Sequence, residues 1–299
     1  MRKTLGIIGL LTFLFSCGNH ADEKSDATTD SAATVLNAES AAKQRVLHFW
    51  DDFNFRDTAL VVSPQIGEQK LVNFIALLPT VDDSIASQAI QNMLKKAEVN
   101  EASLRYYIKQ YAHYLYDPNS PMRSELYYQP VLEYLLQSPK TGETDRSRYQ
   151  TLLKLVRKNQ PGTTATDFSY VSAKGERRQL HEGKADYKML LFYDPTCSHC
   201  AAVLKDLISS RDANMLVERG QLEVVAICPQ GNRSQWEDYE SNIPANWTNG
   251  FDDKGEVIRK GLYNIQAYPT IFLLDKHNKV LLKDAPLDVT LRYLLQRVS

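Results

Sequence analysis

The stretch Phe192 to Leu207, FYDPTCSHCAAVLKDL, holds two of the four cysteines of this 299-residue chain, three positions apart. Such a pair, Cys197 and Cys200, can hold a metal, staple a fold or exchange electrons with another thiol. The apolar run KMLLFYD ahead of the pair suits a buried strand. From Cys197 to Ser210 a helical stripe of Cys200, Ala201, Leu204, Leu207 and Ile208 follows. Cys197 is therefore expected at a helix start, where unpaired N–H groups and the helix dipole favour a thiolate. The thiolate is the nucleophile, so Cys197 would attack a disulfide. Cys200, one turn on and facing the core, would resolve the mixed disulfide. His199 can donate to the Cys197 thiolate or, when protonated, stabilise it electrostatically.

The other chemistries need partners that are scarce. A tetrahedral zinc site requires a second ligand pair. The available groups are His199, His181, His277 and Cys228, with no second Cys-x-x-Cys, so no metal is expected. A purely structural disulfide fits poorly at a helix start. Asp194, with Pro195, is expected to cap the turn before Cys197, with proton acceptance as its other role. Cys228 ends the run LEVVAIC, as a buried thiol or as a third redox cysteine.

The elements that must position these residues alternate along the C-terminal half. After KMLLFYD and the cysteine helix come the strand LEVVAIC, a short helix from Ser234 to Ser241, the hairpin TIFLLD and VLLKD around Lys276 to Lys279, and a closing helix from Leu287 to Val298. Pro161-Gly162 breaks the preceding helical pattern. Phe168, Tyr170 and Val171 then read as a strand, Lys174-Gly175 as its turn and Gln179-Leu180 as the return.

Residues 41–159 read as helical, with no strand-like alternation of any length. One stripe runs Ile85, Ala89, Met93, Leu94 and Ala97, with Asp83 or Ser84 as cap. A second runs Leu104, Ile108, Tyr111 and Leu115 after Asn100 as cap. Two more helices cover YYQPVLEYLLQS, with Pro130 placed near its start, and RYQTLLKLVRKN. Nine tyrosines fall here: 106, 107, 111, 114, 116, 127, 128, 134 and 149. At helical spacing they are expected in the core or lining a groove. A peptide- or carbohydrate-binding aromatic surface is the functional alternative. Arg123, in the Pro-containing loop Tyr116 to Tyr128, is available to a helix end or a carboxylate.

The run from Pro161-Gly162 through Ala165, Asp167-Phe168 and Gly175, the helix-start Cys197/Cys200 pair and the segment QAYPT (Gln266 to Thr270) together resemble the thioredoxin-like proteins of the membrane-anchored reductase type. The resemblance spans residues 160–299 and implies a thioredoxin-like fold and thiol–disulfide exchange. It also implies a cis bond at Tyr268-Pro269, packed beside the cysteines as the binding place of an extended substrate. The loop YDPNSPMRSELYY resembles part of a poorly characterised helical domain found before such domains in bacterial envelope lipoproteins. The chain departs from the thioredoxin pattern in two places. Leu191 stands where a buried carboxylate would, six positions before Cys197, and Thr196 replaces the usual aromatic. The Ser198-His199 dipeptide does not by itself set the direction of electron flow; thioredoxin and a strong oxidant differ by about 150 mV. A peroxiredoxin is excluded, because Leu190 and Asp194 occupy the places of its proline and threonine.

The N-terminus pairs Arg2 and Lys3 with an apolar run from Leu5 to Phe15, too short to span a bilayer. Leu14-Phe15-Ser16-Cys17 resembles a bacterial lipobox, which implies a signal peptide over residues 1–16 and lipidation of Cys17. Gly18, rather than Asp, implies an outer-membrane anchor facing the periplasm. Residues 17–40 have few large apolar groups and read as a flexible tether. With a formal net charge of −1, nothing points to nucleic acid, and Arg177-Arg178 reads as a solvated hairpin face. The expected architecture is an all-α domain (41–159) followed by a thioredoxin-like α/β domain (160–299). No cofactor is expected beyond the chain's own dithiol. The expected partners are exported proteins with disulfides, a thiol–disulfide electron donor or acceptor, and the membrane through the lipid.

Overall fold

The computed structural model describes residues 39–298. The signal segment, Cys17 and most of the expected tether lie outside the described residues. Helix α1 spans 39–47, so residues 39 and 40, read as the end of the tether, are helical.

The first half is helical: α2 (Thr58–Val62), α3 (Gln69–Leu77), α4 (Asp83–Ala97), α5 (Glu101–Leu115), α6 (Glu125–Gln137) and α7 (Glu143–Val156) follow α1. Asn100 caps α5 as expected, its side chain accepting from the N–H groups of Ala102 and Ser103. At α4 the N-cap is Asp82, which makes no side-chain capping bond, and Ala86 takes the buried place expected of Ile85. Pro130 lies inside α6 rather than near its start. Its missing N–H would have served the carbonyl of Leu126, an exposed residue that water can reach.

Most of the tyrosines build the core. Tyr107, Tyr111, Tyr128 and Tyr149 are buried, and Tyr106, Tyr114, Tyr116, Tyr127 and Tyr134 pack against them. Tyr107 also edges against Trp50, Phe53 and Phe55 with ring centroids 5.5 to 6.4 Å apart.

The second half is a seven-stranded sheet among the described residues, in the order β2-β1-β5-β4-β3-β6-β7. The strands are β1 (Ser169–Ser172), β2 (Arg177–Gln179), β3 (Tyr187–Phe192), β4 (Leu222–Cys228), β5 (Thr248–Phe251), β6 (Thr270–Asp275) and β7 (Val280–Lys283). The β3–β4 and β4–β5 pairs are parallel; the others are antiparallel. Both faces of the centre are covered, which is why β3 and β4 read as continuous apolar runs. One face, with Met189, Leu191, Val224, Ala226 and Leu273, packs with helices α8 (Ser198–Ser209), α9 (Arg211–Glu218) and α12 (Leu287–Val298). The other, with Leu190, Phe192, Ile227 and Phe272, packs on Phe168, Tyr170, Tyr263 and Val257 of the short helix α11 (Glu256–Arg259). Trp236 anchors α10 (Arg233–Tyr239) on the first face. Ala201, expected on the buried stripe of α8, is exposed.

Candidate active site

Strand register decides what meets at one sheet edge. Phe192, the last residue of β3, lies opposite Ile227 near the end of β4 and opposite Thr270, the first residue of β6. The chain leaving β3 carries Cys197, the end of β4 carries Cys228, and the segment entering β6 carries Tyr268 and Pro269. Three segments distant in sequence therefore converge because one central strand pairs with both neighbours.

Asp194 shapes the exit from β3. Its Oδ1 accepts from the backbone N–H of Thr196 at 2.8 Å and from the Thr196 hydroxyl at 2.7 Å. The Cys197 N–H donates to the Asp194 carbonyl at 3.0 Å. This is the turn cap expected of Asp194. The turn delivers Cys197 to the N-cap of α8 with extended backbone, where its sulfur accepts from the Cys200 N–H at 3.2 Å. The same Sγ reaches the Tyr268 carbonyl at 3.7 Å, as a thiol donating to that oxygen. The Tyr268-Pro269 bond is cis. Cys197 is half-buried and Cys200 is buried; both are free thiols.

The two sulfurs differ in burial. Burial pushes the Cys200 thiol up to about 12; a hydrogen bond from the Asp194 backbone opposes the rise, and the neighbouring Cys197 adds to it. Cys228 is also pushed up to about 12 by burial, and its Sγ donates to the Gln230 carbonyl at 3.0 Å. Burial raises the Tyr268 hydroxyl to about 12, with Cys228 and Asp194 adding to the shift. His199 is exposed and makes no hydrogen bond to Cys197 among the described residues. The Cys197 sulfur accepts from the Cys200 N–H and donates to the Tyr268 carbonyl, so donation from His199, one of its two expected roles, is not formed. Leu191 is fully buried beneath the pair.

A polar network below the site was not anticipated. The Tyr193 hydroxyl and the Trp236 Nε1–H both donate to Asn249 Oδ1, at 2.7 and 2.9 Å. The Asn249 amide donates to Glu240. The Tyr239 ring lies tilted against Tyr193, with centroids 5.8 Å apart, and burial, then Cys200 and Cys197, raise the Tyr239 hydroxyl. Its signal in the sequence was slight: Tyr239 and Glu240 fall within the short helix expected there, but their partner sits on β5, which no apolar run announces.

The two-domain fold agrees with comparisons to known proteins. A profile described as thioredoxin-like matches residues 185–280, and a domain of unknown function matches residues 32–159. A crystal structure of a thioredoxin-like protein from Bacteroides caccae is 35% identical, covering 87% of this chain and 94% of that one with a TM-score of 0.84. Coverage of that extent spans both domains, so the pairing of a helical domain with this sheet recurs there. A conserved protein of unknown function from Bacteroides fragilis is 38% identical over 45% of this chain and 98% of its own, with a TM-score of 0.44. The thioredoxin domain of a thiol-disulfide oxidoreductase from Bacteroides vulgatus is 20% identical over 47% of this chain and 99% of its own, with a TM-score of 0.42. Among curated proteins none matches the chain. The chain belongs to the thioredoxin-like family, with an N-terminal helical domain ahead of its α/β domain.

Proposed function

We propose that this protein is a thiol–disulfide oxidoreductase that reduces disulfides in exported proteins, held in the cell envelope by a lipid on Cys17, on the outer membrane facing the periplasm. The observation that carries the activity is the position of the Cys197 sulfur. It accepts an N–H from Cys200 at the start of α8 and touches the Tyr268 carbonyl, with Cys200 buried one turn behind. The envelope location rests on the N-terminal sequence alone.

The steps follow from placement. The Cys197 thiolate attacks one sulfur of a substrate disulfide; an S–S bond forms as the substrate S–S bond breaks, and one substrate thiolate leaves and takes a proton. Cys200 loses its proton and attacks the Cys197 sulfur, forming the Cys197–Cys200 disulfide and releasing the second substrate thiol. Two electrons pass to the substrate, and an external dithiol donor returns them. The backbone of Tyr268 and Pro269 offers an extended substrate its alignment. The high pKa of Cys200 keeps it protonated until the mixed disulfide forms, so only Cys197 is poised to attack first.

Insulin reduction by purified protein with a dithiol donor tests the reading. Wild type is expected to be active, and Cys197→Ser and Cys200→Ser inactive in turnover. Equal activity in all three would end it. The reduction potential of the Cys197–Cys200 couple tests the direction: a value near that of thioredoxin supports a reductase, and a value about 150 mV higher supports an oxidase.

A second reading, a peptide- or glycan-binding lipoprotein, is favoured by one observation. A cavity of about 970 Å³ opens between α5, α6 and α7, lined by Tyr116, Tyr128, Tyr149, Arg105 and Lys109 among others. An envelope phenotype lost in Tyr128→Ala and kept in Cys197→Ala would support it.

A further inference from the structure

We propose that the helical domain positions the Tyr268 carbonyl against the Cys197 sulfur, by gripping the segment that leads into it; this rests on the disulfide-exchange reading above. Four contacts from the helical side reach residues 261–264. Lys158 Nζ donates to the Gly261 carbonyl at 2.6 Å, and Asn159 Nδ2 donates to the Leu262 carbonyl at 2.9 Å. The Tyr116 hydroxyl donates to Asn264 Oδ1 at 3.4 Å, and the Asn264 amide donates to Glu125. The approach is close: a Cβ on Gly261 would lie 2.9 Å from the Leu155 side chain of α7.

Only three residues separate Asn264 from Tyr268. The far side of the segment is held as well. The Ala285 N–H donates to the Ile271 carbonyl at 3.2 Å, and the adjacent Asp284 pairs with Arg123 of the helical domain at 2.5 Å. Tyr263, between the gripped residues, is fixed from the sheet side by its bond to the Thr166 carbonyl at 2.7 Å and by Phe168, Phe192 and Phe272 around its ring. Asn264 is 5% exposed, so its amide has little access to water in place of Glu125 and Tyr116. Glu125, Tyr116 and Arg123 are thus positioning residues that act through the backbone of 261–271.

The test uses the full chain and four variants: Asn264→Ala, Tyr116→Phe, Glu125→Ala and Glu125→Gln. Two measurements are made: hydrogen exchange of the amides from Ile265 to Tyr268 and of Thr270, and kcat/KM for insulin beside iodoacetamide alkylation of Cys197. Glu125→Ala and Asn264→Ala are expected to speed exchange in the segment and lower kcat/KM for insulin, each about tenfold, because displacement of a substrate-aligning group costs reaction geometry. Tyr116→Phe should show a smaller change in the same direction. Glu125→Gln still offers an oxygen to the Asn264 amide and should restore both quantities, and alkylation by the small reagent should stay near wild type throughout. Unchanged exchange in both alanine variants would overturn the proposal. So would parallel losses in Glu125→Ala and Glu125→Gln that follow the melting temperature, since the joint would then contribute stability alone. Failure of wild type to reduce insulin would instead overturn the disulfide-exchange reading, and the exchange measurement would still decide whether the helical domain holds the segment.

Discussion

Two polar regions of this molecule are built on opposite rules. At the joint between the domains every charge has a partner. The Lys283 ammonium, 6% exposed, donates to the carbonyls of Val156 and Lys158 at the end of α7 and pairs with Glu125 at 2.7 Å; Arg123 and Asp284 pair beside it. At the cysteine edge, groups are left available: a half-buried thiol at a helix start, a buried thiol kept neutral, and an exposed His199. The joint spends its polar groups on fixing one geometry, and the cysteine edge keeps its own free to react. The difference teaches that burial alone does not mark function; what matters is whether the buried group is satisfied.

The largest losses are expected at the joint. Lys283→Met strands the Glu125 carboxylate and two helix-end carbonyls, and should cost about 3–5 kcal/mol in denaturant unfolding. A loss below about 1 kcal/mol would mean the ammonium is not the keystone. At the cysteine edge, alkylation of the reduced protein at pH ~8 should single out Cys197. A thiol with a pKa near 12 is ionised to roughly one part in 10⁴ there, so Cys200 and Cys228 should be left unmodified in a peptide map. Comparable labelling of Cys200 would contradict its neutral, buried state.

A smaller effect is read from pH. Burial raises the carboxyls of Glu125 and Asp284 above their ordinary values of 4.5 and 3.8, so the folded protein binds these protons more tightly than the unfolded chain. Their contribution to stability therefore grows as pH falls from neutral through the raised values, and levels off below the ordinary ones. Glu125→Gln should flatten the part of that gain that accrues above the ordinary carboxyl value of 4.5 in unfolding titrations. The smallest effect is local and leaves both regions intact: Asn100→Ala removes the cap of α5 and should cost about 1 kcal/mol in the same titrations, with insulin reduction unchanged.

Legibility in the sequence follows the same division. Local signals carried the cysteine helix, β3, β4, the β6–β7 hairpin, α12 and the Asn100 cap, since each depends on neighbouring residues. The strand β5 was missed because its sequence, TNGF, is polar and short. Asn249 is buried there to serve Tyr193 and Trp236, and Gly250 is needed because a Cβ would stand 2.5 Å from Tyr170 and 2.6 Å from Ile227. The helix α9 was missed because Ser210 both ends α8 and caps α9, which leaves no loop to mark the break. The joint is legible only at Arg123, whose expected carboxylate is Asp284; Glu125 and Lys283 look like surface charges until the fold brings them together. His199, prominent in the sequence by its place between the cysteines, faces solvent because α8 turns its own N–H groups, not that side chain, toward the Cys197 sulfur.

If Cys197 attacks and Cys200 resolves, the intermediate between the two steps can be trapped: reduced Cys200→Ala protein is mixed with a disulfide-containing substrate and the product is mapped by mass spectrometry without reductant. A stable mixed disulfide with substrate is expected at Cys197, released by added dithiol, and none in Cys197→Ala. Substrate attached at Cys228, or no covalent product at all, would contradict it.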